Sequence, residues 1–300
     1  MSCHECDEAP CAARQGTIEL LIEPREADLG EFSVRRALPS RQQRMVGPFV
    51  FFDHMGPATF PPGKSINVRP HPHIGIATIT YLFTGEILHR DSLGVVQPIQ
   101  RGAINLMVAG SGITHAERPG TDVDETSELH GIQSWIALPE ALQEIDAEFI
   151  HYPASDLPEI AQGDSRIRLI MGSAFGATSP VKTFSRTLYL DCHVAVGDTV
   201  TLPRDEEELA FYVADGSVTC DGNTVSMGAM AVIAAEEPLS FTANVDSRIM
   251  IVGGENIGPR HIYWNFVSTD AERIEQAKDD WREQRFPCVP DDDEFIPLPD

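Results

Sequence analysis

Short strand-like runs recur along almost the whole chain, and they constrain its fold more than any other feature. Apolar or alternating segments such as "FVFFDHMG" and "LHGIQSWIAL" are bounded by Gly, Pro and Asp, as β-strands usually are. The same pattern of apolar or alternating segments occurs again after residue 164, for example in "RTLYLDCHVAVGDTVTLP". Many short strands separated by turn residues are typical of antiparallel sandwiches and barrels. The sequence therefore predicts an all-β protein.

Two such strand blocks in 300 residues predict two antiparallel β-barrels of the jelly-roll type, connected by the Pro- and acid-rich stretch at 139–164. We expect an N-terminal barrel at 17–150, a C-terminal barrel at 151–265, and a helix with an acidic tail at 266–300. Residues 1–16 carry Cys3, Cys6 and Cys11, and we expect them to form a flexible tail. A metal or redox knuckle at Cys3 and Cys6 is the alternative, but no second, distant pair of ligands is evident.

One helix is predicted near the C-terminus. The segment "TDAE" at 269–272 has the form of a capping box, with Thr269 as its first residue. Ile274, Ala277 and Trp281 then fall on one helical face. The tail "PDDDEFIPLPD" that follows is too acidic to pack a core alone, so we expect it to dock as a strap.

Composition limits the classes of partner. The chain has 22 basic against 46 acidic residues, a net charge of -24, and such a surface repels nucleic acid and anionic membranes. No apolar run approaches the length of a membrane span, and the N-terminus lacks the basic start and apolar region of a signal peptide. We therefore expect a cytoplasmic protein without direct contact with nucleic acid or membrane.

Four residues form the strongest candidate site. His71 and His73 lie two residues apart in "HPHIG", and His115 and Glu117 repeat this spacing in "GITHAERP". Residues i and i+2 of a strand face the same side, so two such strands can converge on one centre. Three imidazoles and a carboxylate suit a divalent first-row metal, with Fe(II), Mn, Ni, Cu and Zn all compatible with these ligands. His89 and His54 are weaker candidates, as groups that orient the ligands.

At these residues the sequence resembles the pirin family of the cupin superfamily. The resemblance rests on "HPHIGIATITYLFTGEILHRDSLG" and "LMVAGSGITHAERP", and extends to "GPFVFFDHMGP", "WIALPEA" and "GPRHIYWNFVS". It implies a bicupin whose N-terminal barrel holds a metal, usually iron, at His71, His73, His115 and Glu117. Many cupins carry a Glu four residues after the second His, where this chain has Ala77, so the carboxylate ligand depends on Glu117.

The resemblance implies two kinds of function. Some pirins look like quercetin 2,3-dioxygenases, so a flavonol and dioxygen would be the substrates, with Glu117 as the general base and loss of carbon monoxide on ring opening. Phe51, Phe52 and Leu106 are candidates for lining the substrate pocket. Other pirins are redox-sensitive regulators, and an iron-dependent regulator with this acidic surface would favour a basic partner protein. Other cupin chemistry on a small acid is a third hypothesis, since one fold hosts many activities.

Overall fold

The computed structural model describes residues 17–28, 33–121, 123–202, 205–234 and 238–299. The expected Cys-containing tail at 1–16 lies outside these residues. The strands of the first half are β1 (Ile18–Ile22), β2 (Arg25–Asp28), β3 (Ser33–Leu38), β4 (Phe49–Phe60), β5 (Val68–His73), β6 (Ile76–Thr84), β7 (Glu86–Asp91), β8 (Val96–Gln100), β9 (Ile104–Val108), β10 (Ile113–Pro119), β11 (Ser127–Ala137) and β12 (Glu148–Tyr152).

The second half is also built of short strands. They are β13 (Glu159–Gln162), β14 (Ser165–Met171), β15 (Ser173–Ala174), β16 (Ala177–Thr178), β17 (Thr187–Val194), β18 (Thr199–Leu202), β19 (Glu208–Asp215), β20 (Ser217–Cys220), β21 (Asn223–Ser226), β22 (Met230–Ile233), β23 (Leu239–Ala243), β24 (Ser247–Gly254), β25 (His261–Tyr263) and β26 (Phe266–Ser268). One α-helix, α1 (Ala271–Arg282), follows them, and two 3-10 turns (Glu140–Leu142 and Ala154–Asp156) lie in the connector.

The strands form two barrels, each from one large and one small antiparallel sheet. In the N-terminal barrel, the seven-stranded sheet β12-β9-β6-β11-β4-β3-β2 faces the four-stranded sheet β5-β10-β7-β8. In the C-terminal barrel, the sheet β1-β22-β19-β24-β17-β14-β13 faces β18-β23-β20-β21. The predicted all-β architecture of two antiparallel barrels with a short C-terminal helix is confirmed.

The bounds proposed for the two barrels stay a prediction, but one strand near them pairs across the molecule. β1 was expected in the N-terminal barrel, yet it hydrogen bonds with β22 of the C-terminal sheet, for example Ile22 with Met230. β12, at the other end of the first unit, pairs with β9 of the N-terminal sheet. The first described strand of the chain thus belongs to the C-terminal barrel, although the strands that follow it form the N-terminal barrel.

The two large sheets pack against each other and bury a shared apolar layer. Phe52 of the N-terminal sheet lies against Tyr212 of the C-terminal sheet, with ring centroids 5.0 Å apart, and both side chains are fully buried. The inside of the C-terminal barrel is a second, continuous apolar cluster that includes Phe211 and Phe241. Inside the N-terminal barrel, in contrast, two smaller apolar clusters flank a set of buried polar side chains. That difference places the candidate site in the first barrel.

The helix and the tail close one side of the N-terminal barrel. Ile274, Ala277 and Trp281 form the buried face of α1, as predicted. The cap differs from the prediction: Asp270 accepts the N–H of Glu272, because the preceding Thr269 is bonded to a glutamine of the connector instead.

The tail docks as the expected strap over its described residues, 290–299. The backbone N–H of Ile296 donates to the carbonyl of Pro70, and Arg118 of β10 is paired with Asp292 and Glu294. Within the described residues, no helix combines the length and apolar character needed to cross a membrane.

Candidate metal centre

Two neighbouring strands carry the four predicted residues. β5 is the edge strand of the small sheet, which explains how Pro72 is tolerated between two histidines. It pairs with β10 so that His71 lies opposite His115. The register shifts beyond this pair, because Glu117 lies opposite Val68. The three histidines therefore meet directly, while an irregularity of the pairing separates the glutamate from them.

The histidine cluster (His71, His73 and His115) is buried and compact. One ring nitrogen from each residue lies within 4.8 Å of the others, and the Nε2 atoms of His73 and His115 are 3.1 Å apart. Imidazole nitrogens that each lie ~2.1 Å from one common ion are roughly 3.0 to 3.4 Å apart for right-angled or tetrahedral bonds. The observed separation therefore fits two ligands of a single metal ion.

Glu117 is not a member of this compact group, although its side chain is only 9% exposed. It lines the same cavity as His71 and His73. The structure thus brings the three predicted imidazoles together and places the predicted carboxylate beside them. Ligation by any of the four residues, and the role of Glu117 as a base, stay predictions.

Burial keeps the cluster in the chemical form that a metal needs. Desolvation, opposed by a hydrogen bond to the carbonyl of Arg69, lowers the pKa of His71 to about 4. Desolvation and the neighbouring imidazoles hold the pKa values of His73 and His115 well below the usual range. All three are therefore neutral near pH 7 and offer a lone pair each. Burial also raises the pKa of Glu117 to about 7.

Hydrogen bonds behind the cluster set which nitrogen of His71 and of His115 carries the proton. His71 Nδ1 donates to the carbonyl of Arg69 at 2.8 Å, which leaves its Nε2 free. His73 Nδ1 is buried and has no hydrogen-bond partner among the described residues. If Nε2 of that ring offers its lone pair to the cluster, Nδ1 carries the proton of the neutral imidazole.

A longer chain of contacts stands behind His115. Asp91 is fully buried, and its Oδ1 accepts the backbone N–H groups of Leu93 and Val95. Its Oδ2 accepts from His89 Nε2 at 2.9 Å, and His89 Nδ1 lies 3.4 Å from His115 Nδ1. Since a carboxylate only accepts, the protons order along this chain and leave His115 Nε2 free for the cluster. The structure thus places His89 where an orienting group would stand, whereas Asp91 was not predicted.

His54 does not take part in this arrangement. It lies on the opposite face of β4, in the layer between the barrels, where its Nδ1 is 2.9 Å from the Tyr212 hydroxyl and its Nε2 is 2.7 Å from His130. The interpretation of His54 as a ligand-orienting group is therefore wrong. Both faces of β4 are buried, so the strand pattern alone could not tell which residues face the site.

The cluster opens into a cavity of about 390 Å³ in the N-terminal barrel. Phe51 and Trp135 form one wall, stacked with centroids 3.9 Å apart at 10°. We call this pair the aromatic wall, and the Trp135 ring also meets His73 edge-on at 5.2 Å. Of the predicted lining residues only Phe51 faces the cavity, because Phe52 and Leu106 point into the layer between the barrels.

Polar residues that sequence reasoning missed share this cavity. Arg36 donates to both oxygens of Asp53, at 2.8 and 2.7 Å, and Gln133 lies nearby. Burial raises the pKa of Asp53, although hydrogen bonds and the charge of Arg36 oppose this. The sequence spacing could have identified Asp53 and Gln133 as cavity residues. Asp53 is two residues after Phe51, and Gln133 is two residues before Trp135, so each pair shares a strand face.

Two glycines allow the ligand strands to approach their surroundings. Gly75 has a φ of +69°, and a Cβ there would lie 1.9 Å from the carbonyl oxygen of Val267. Gly110 has a φ of +51°, and its Cβ would lie 1.9 Å from the carbonyl oxygen of Ile145. Neither position accepts a side chain without displacing backbone.

Comparisons with known proteins identify the family of the chain. The sequence matches the family models for Pirin at residues 31–136 and for the Pirin C-terminal cupin domain at residues 189–287. A pirin-like protein of Caulobacter vibrioides is 48% identical over 288 residues, which cover 94% of this chain and 100% of that protein.

Solved structures with a similar fold include a dioxygenase and a bacterial pirin. A quercetin 2,3-dioxygenase from Acinetobacter baumannii is 33% identical and has a TM-score of 0.88, covering 94% of this chain and 95% of that one. The bacterial pirin YhhW from Escherichia coli, in complex with nickel(II), is 19% identical with a TM-score of 0.63, covering 79% of this chain and 99% of that one. The second likeness shows the fold alone.

Proposed function

Because this chain belongs to the pirin family, we propose that it is a metal-dependent dioxygenase that opens the ring of a flavonol such as quercetin. One observation carries the proposal: three buried, neutral imidazoles form a compact cluster, and two of them line a cavity whose wall is a stacked pair of aromatic rings. The similarity to a solved quercetin 2,3-dioxygenase supports the same reaction class.

In this proposal His71, His73 and His115 hold the metal, with Glu117 beside them. Fe(II) is the preferred ion, while Mn, Ni, Cu and Zn remain compatible with the imidazole donors. When bound, such an ion supplies Lewis acidity that lowers the pKa of a substrate hydroxyl and, in the case of iron, redox chemistry toward dioxygen.

Other residues of the cavity would bind the substrate and move its proton. The aromatic wall of Phe51 and Trp135 is flat and apolar, so it favours a planar polyphenol lying face-on or edge-on against it. Arg36, Asp53 and Gln133 supply donors and acceptors for the ring hydroxyls of such a substrate. Glu117 takes the proton of the hydroxyl next to the cluster, since a carboxylate whose pKa lies near neutrality can both accept and return a proton.

The test is turnover under controlled oxygen. Protein purified without air and loaded with Fe(II) is mixed with quercetin, and the flavonol absorbance and released carbon monoxide are followed with and without dioxygen. We expect oxygen-dependent loss of quercetin that disappears in Glu117→Gln, while His261→Ala, an exposed histidine of β25, keeps the activity. No turnover by fully iron-loaded protein contradicts the proposal and favours the alternative, an iron-dependent regulator that binds a partner protein.

A further inference from the structure

A second polar cavity lies between the two barrels, away from the metal centre. This inter-barrel cleft has a volume of about 570 Å³. Tyr81 of β6 and Arg101 of the β8–β9 turn form its N-terminal side, and residues of β14, β17 and β24 form the other. It shares no lining residue with the metal-site cavity. β6 separates the two, because Thr80 bonds to Gln133 on one side and Tyr81 bonds to Asp191 on the other.

Basic side chains lie in register across the floor of this cleft. Arg248 of β24 is paired with His193 of β17, and His193 is paired with Arg166 of β14. Residues that are paired directly across antiparallel strands share a face and come close together. Arg168, two residues after Arg166, faces the same side. Arg166 and Arg248 therefore lie on either side of His193 on one face of the sheet, and a negative ligand between the two guanidinium groups would be stabilising.

The carboxylates of the cleft do not cancel this positive charge. Asp191 is bonded to Arg248 and Tyr81, and Glu159 is shared between Arg166 at 3.2 Å and Arg168 at 3.1 Å. Burial alone would raise the pKa of Asp191, but the hydrogen-bonded guanidinium of Arg248, with His193 Nε2 3.7 Å away, holds it below its usual value.

Asp164 completes the acidic groups of the cleft. Four arginines therefore face three carboxylates, which leaves a formal surplus of one positive charge with His193 counted as neutral. This surplus is notable in a chain whose net charge is -24.

Not every guanidinium nitrogen around the cleft is hydrogen bonded within the described residues. Arg168 Nε is buried and has no hydrogen-bond partner among the described residues. Arg101 is exposed at the rim and makes no ion pair within the described part of the chain. Gly102 lets the guanidinium of Arg168 approach the turn, because a Cβ at Gly102 would lie 2.4 Å from Arg168 Nη1. The cleft therefore presents guanidinium donors from both barrels to the same space.

We propose that the inter-barrel cleft binds a small oxyanion that carries two or more negative charges, a dicarboxylate or a phosphate. Guanidinium groups bind carboxylate and phosphate oxygens through paired hydrogen bonds, and here they come from both barrels. The site is independent of the proposed dioxygenase activity.

The test is calorimetric titration of the full chain, loaded with metal, at constant ionic strength. Inorganic phosphate and malonate are the two probes, and acetate is the singly charged comparison. We expect saturable binding of at least one probe, tighter than that of acetate. Arg101→Gln and Arg166→Gln should each weaken it roughly tenfold or more, because each removes a charge-assisted hydrogen bond. Arg41→Gln removes the same charge at an exposed position outside the cleft and should leave binding unchanged.

Three results would overturn the proposal. The first is the absence of saturable binding for both probes. The second is an equal loss of affinity in Arg41→Gln and Arg101→Gln, which would indicate a general charge effect. The third is binding that survives Arg101→Gln and Arg166→Gln but disappears in His73→Ala, which would assign the anion to the metal centre. The probe that binds more tightly distinguishes a carboxylate ligand from a phosphate ligand.

Discussion

Replacing Asp91 with asparagine should weaken metal binding, although the Asp91 side chain bonds to His89, Leu93 and Val95 and to none of the predicted ligands. The substitution keeps the size of the side chain, and its remaining oxygen can still accept the backbone N–H groups of Leu93 and Val95. The other oxygen, Oδ2, becomes an amide N–H₂ group. In the wild type Oδ2 accepts the proton of His89 Nε2 at 2.9 Å, so the new N–H₂ group would face that proton. Two donors then face each other, so His89 must move its proton to Nδ1.

The change of tautomer in His89 also changes the tautomer of His115. His89 Nδ1 lies 3.4 Å from His115 Nδ1, so a proton on both nitrogens would be unfavourable, and His115 would carry its proton on Nε2 instead. The nitrogen that faces the cluster would then have no lone pair for a metal. One charge-assisted hydrogen bond is lost, worth about 1.5 to 3 kcal/mol, which corresponds to a metal affinity roughly 10 to 150 times weaker.

Competition with a chromophoric chelator measures this affinity. The matched control is Asp191→Asn, which neutralises an equally buried carboxylate in the other barrel. We expect Asp191→Asn to alter stability but not metal affinity. If Asp91→Asn folds and binds the ion as tightly as the wild type, the proton order assigned to His89 and His115 is wrong.

Three further predictions test other parts of the structure. Burial lowers the pKa of His54 from 6.5 to about 2, so below neutral pH the imidazole becomes protonated in the unfolded state but stays neutral in the folded state. The free energy of unfolding should therefore fall by about 2 kcal/mol between neutral pH and about pH 5. Urea titrations should show this slope, and an unchanged slope in His54→Gln contradicts it. Gly75→Ala should cost at least about 2 kcal/mol more stability than Gly63→Ala, because both have positive φ but only Gly75 would meet backbone, at Val267; equal thermal shifts would refute this. Trp135→Ala should raise the KM for quercetin about tenfold with metal content unchanged, because it removes half of the aromatic wall; an unchanged KM places the substrate elsewhere.

Much of the fold was accessible from the sequence because it depends on local periodicity. Alternation in "ITHAERP" places His115 inward, and the i, i+2 spacing of His71 and His73 brings both rings to one side of β5. The buried face of α1 followed in the same way from helical spacing.

What was missed depends on pairing between distant segments. The pairing of β1 with β22 joins residues more than 200 positions apart, and no local pattern encodes it. Phe51 and Phe52 could not be separated, since the two faces of β4 are both buried, one toward the site and one toward the other barrel. Asp91 was overlooked because its part depends on the register of β7 with β10, which places it opposite His115.

The most direct test of the account is the number of metal ions bound per chain in the wild type and in His73→Ala. Protein loaded with Fe(II) without air, desalted and analysed by mass spectrometry of the elements should hold one ion per chain. His73→Ala should hold almost none, and the exposed His261→Ala should hold one. A wild type that retains no divalent ion, or a His73→Ala variant that retains a full equivalent, would contradict a metal centre at this histidine cluster.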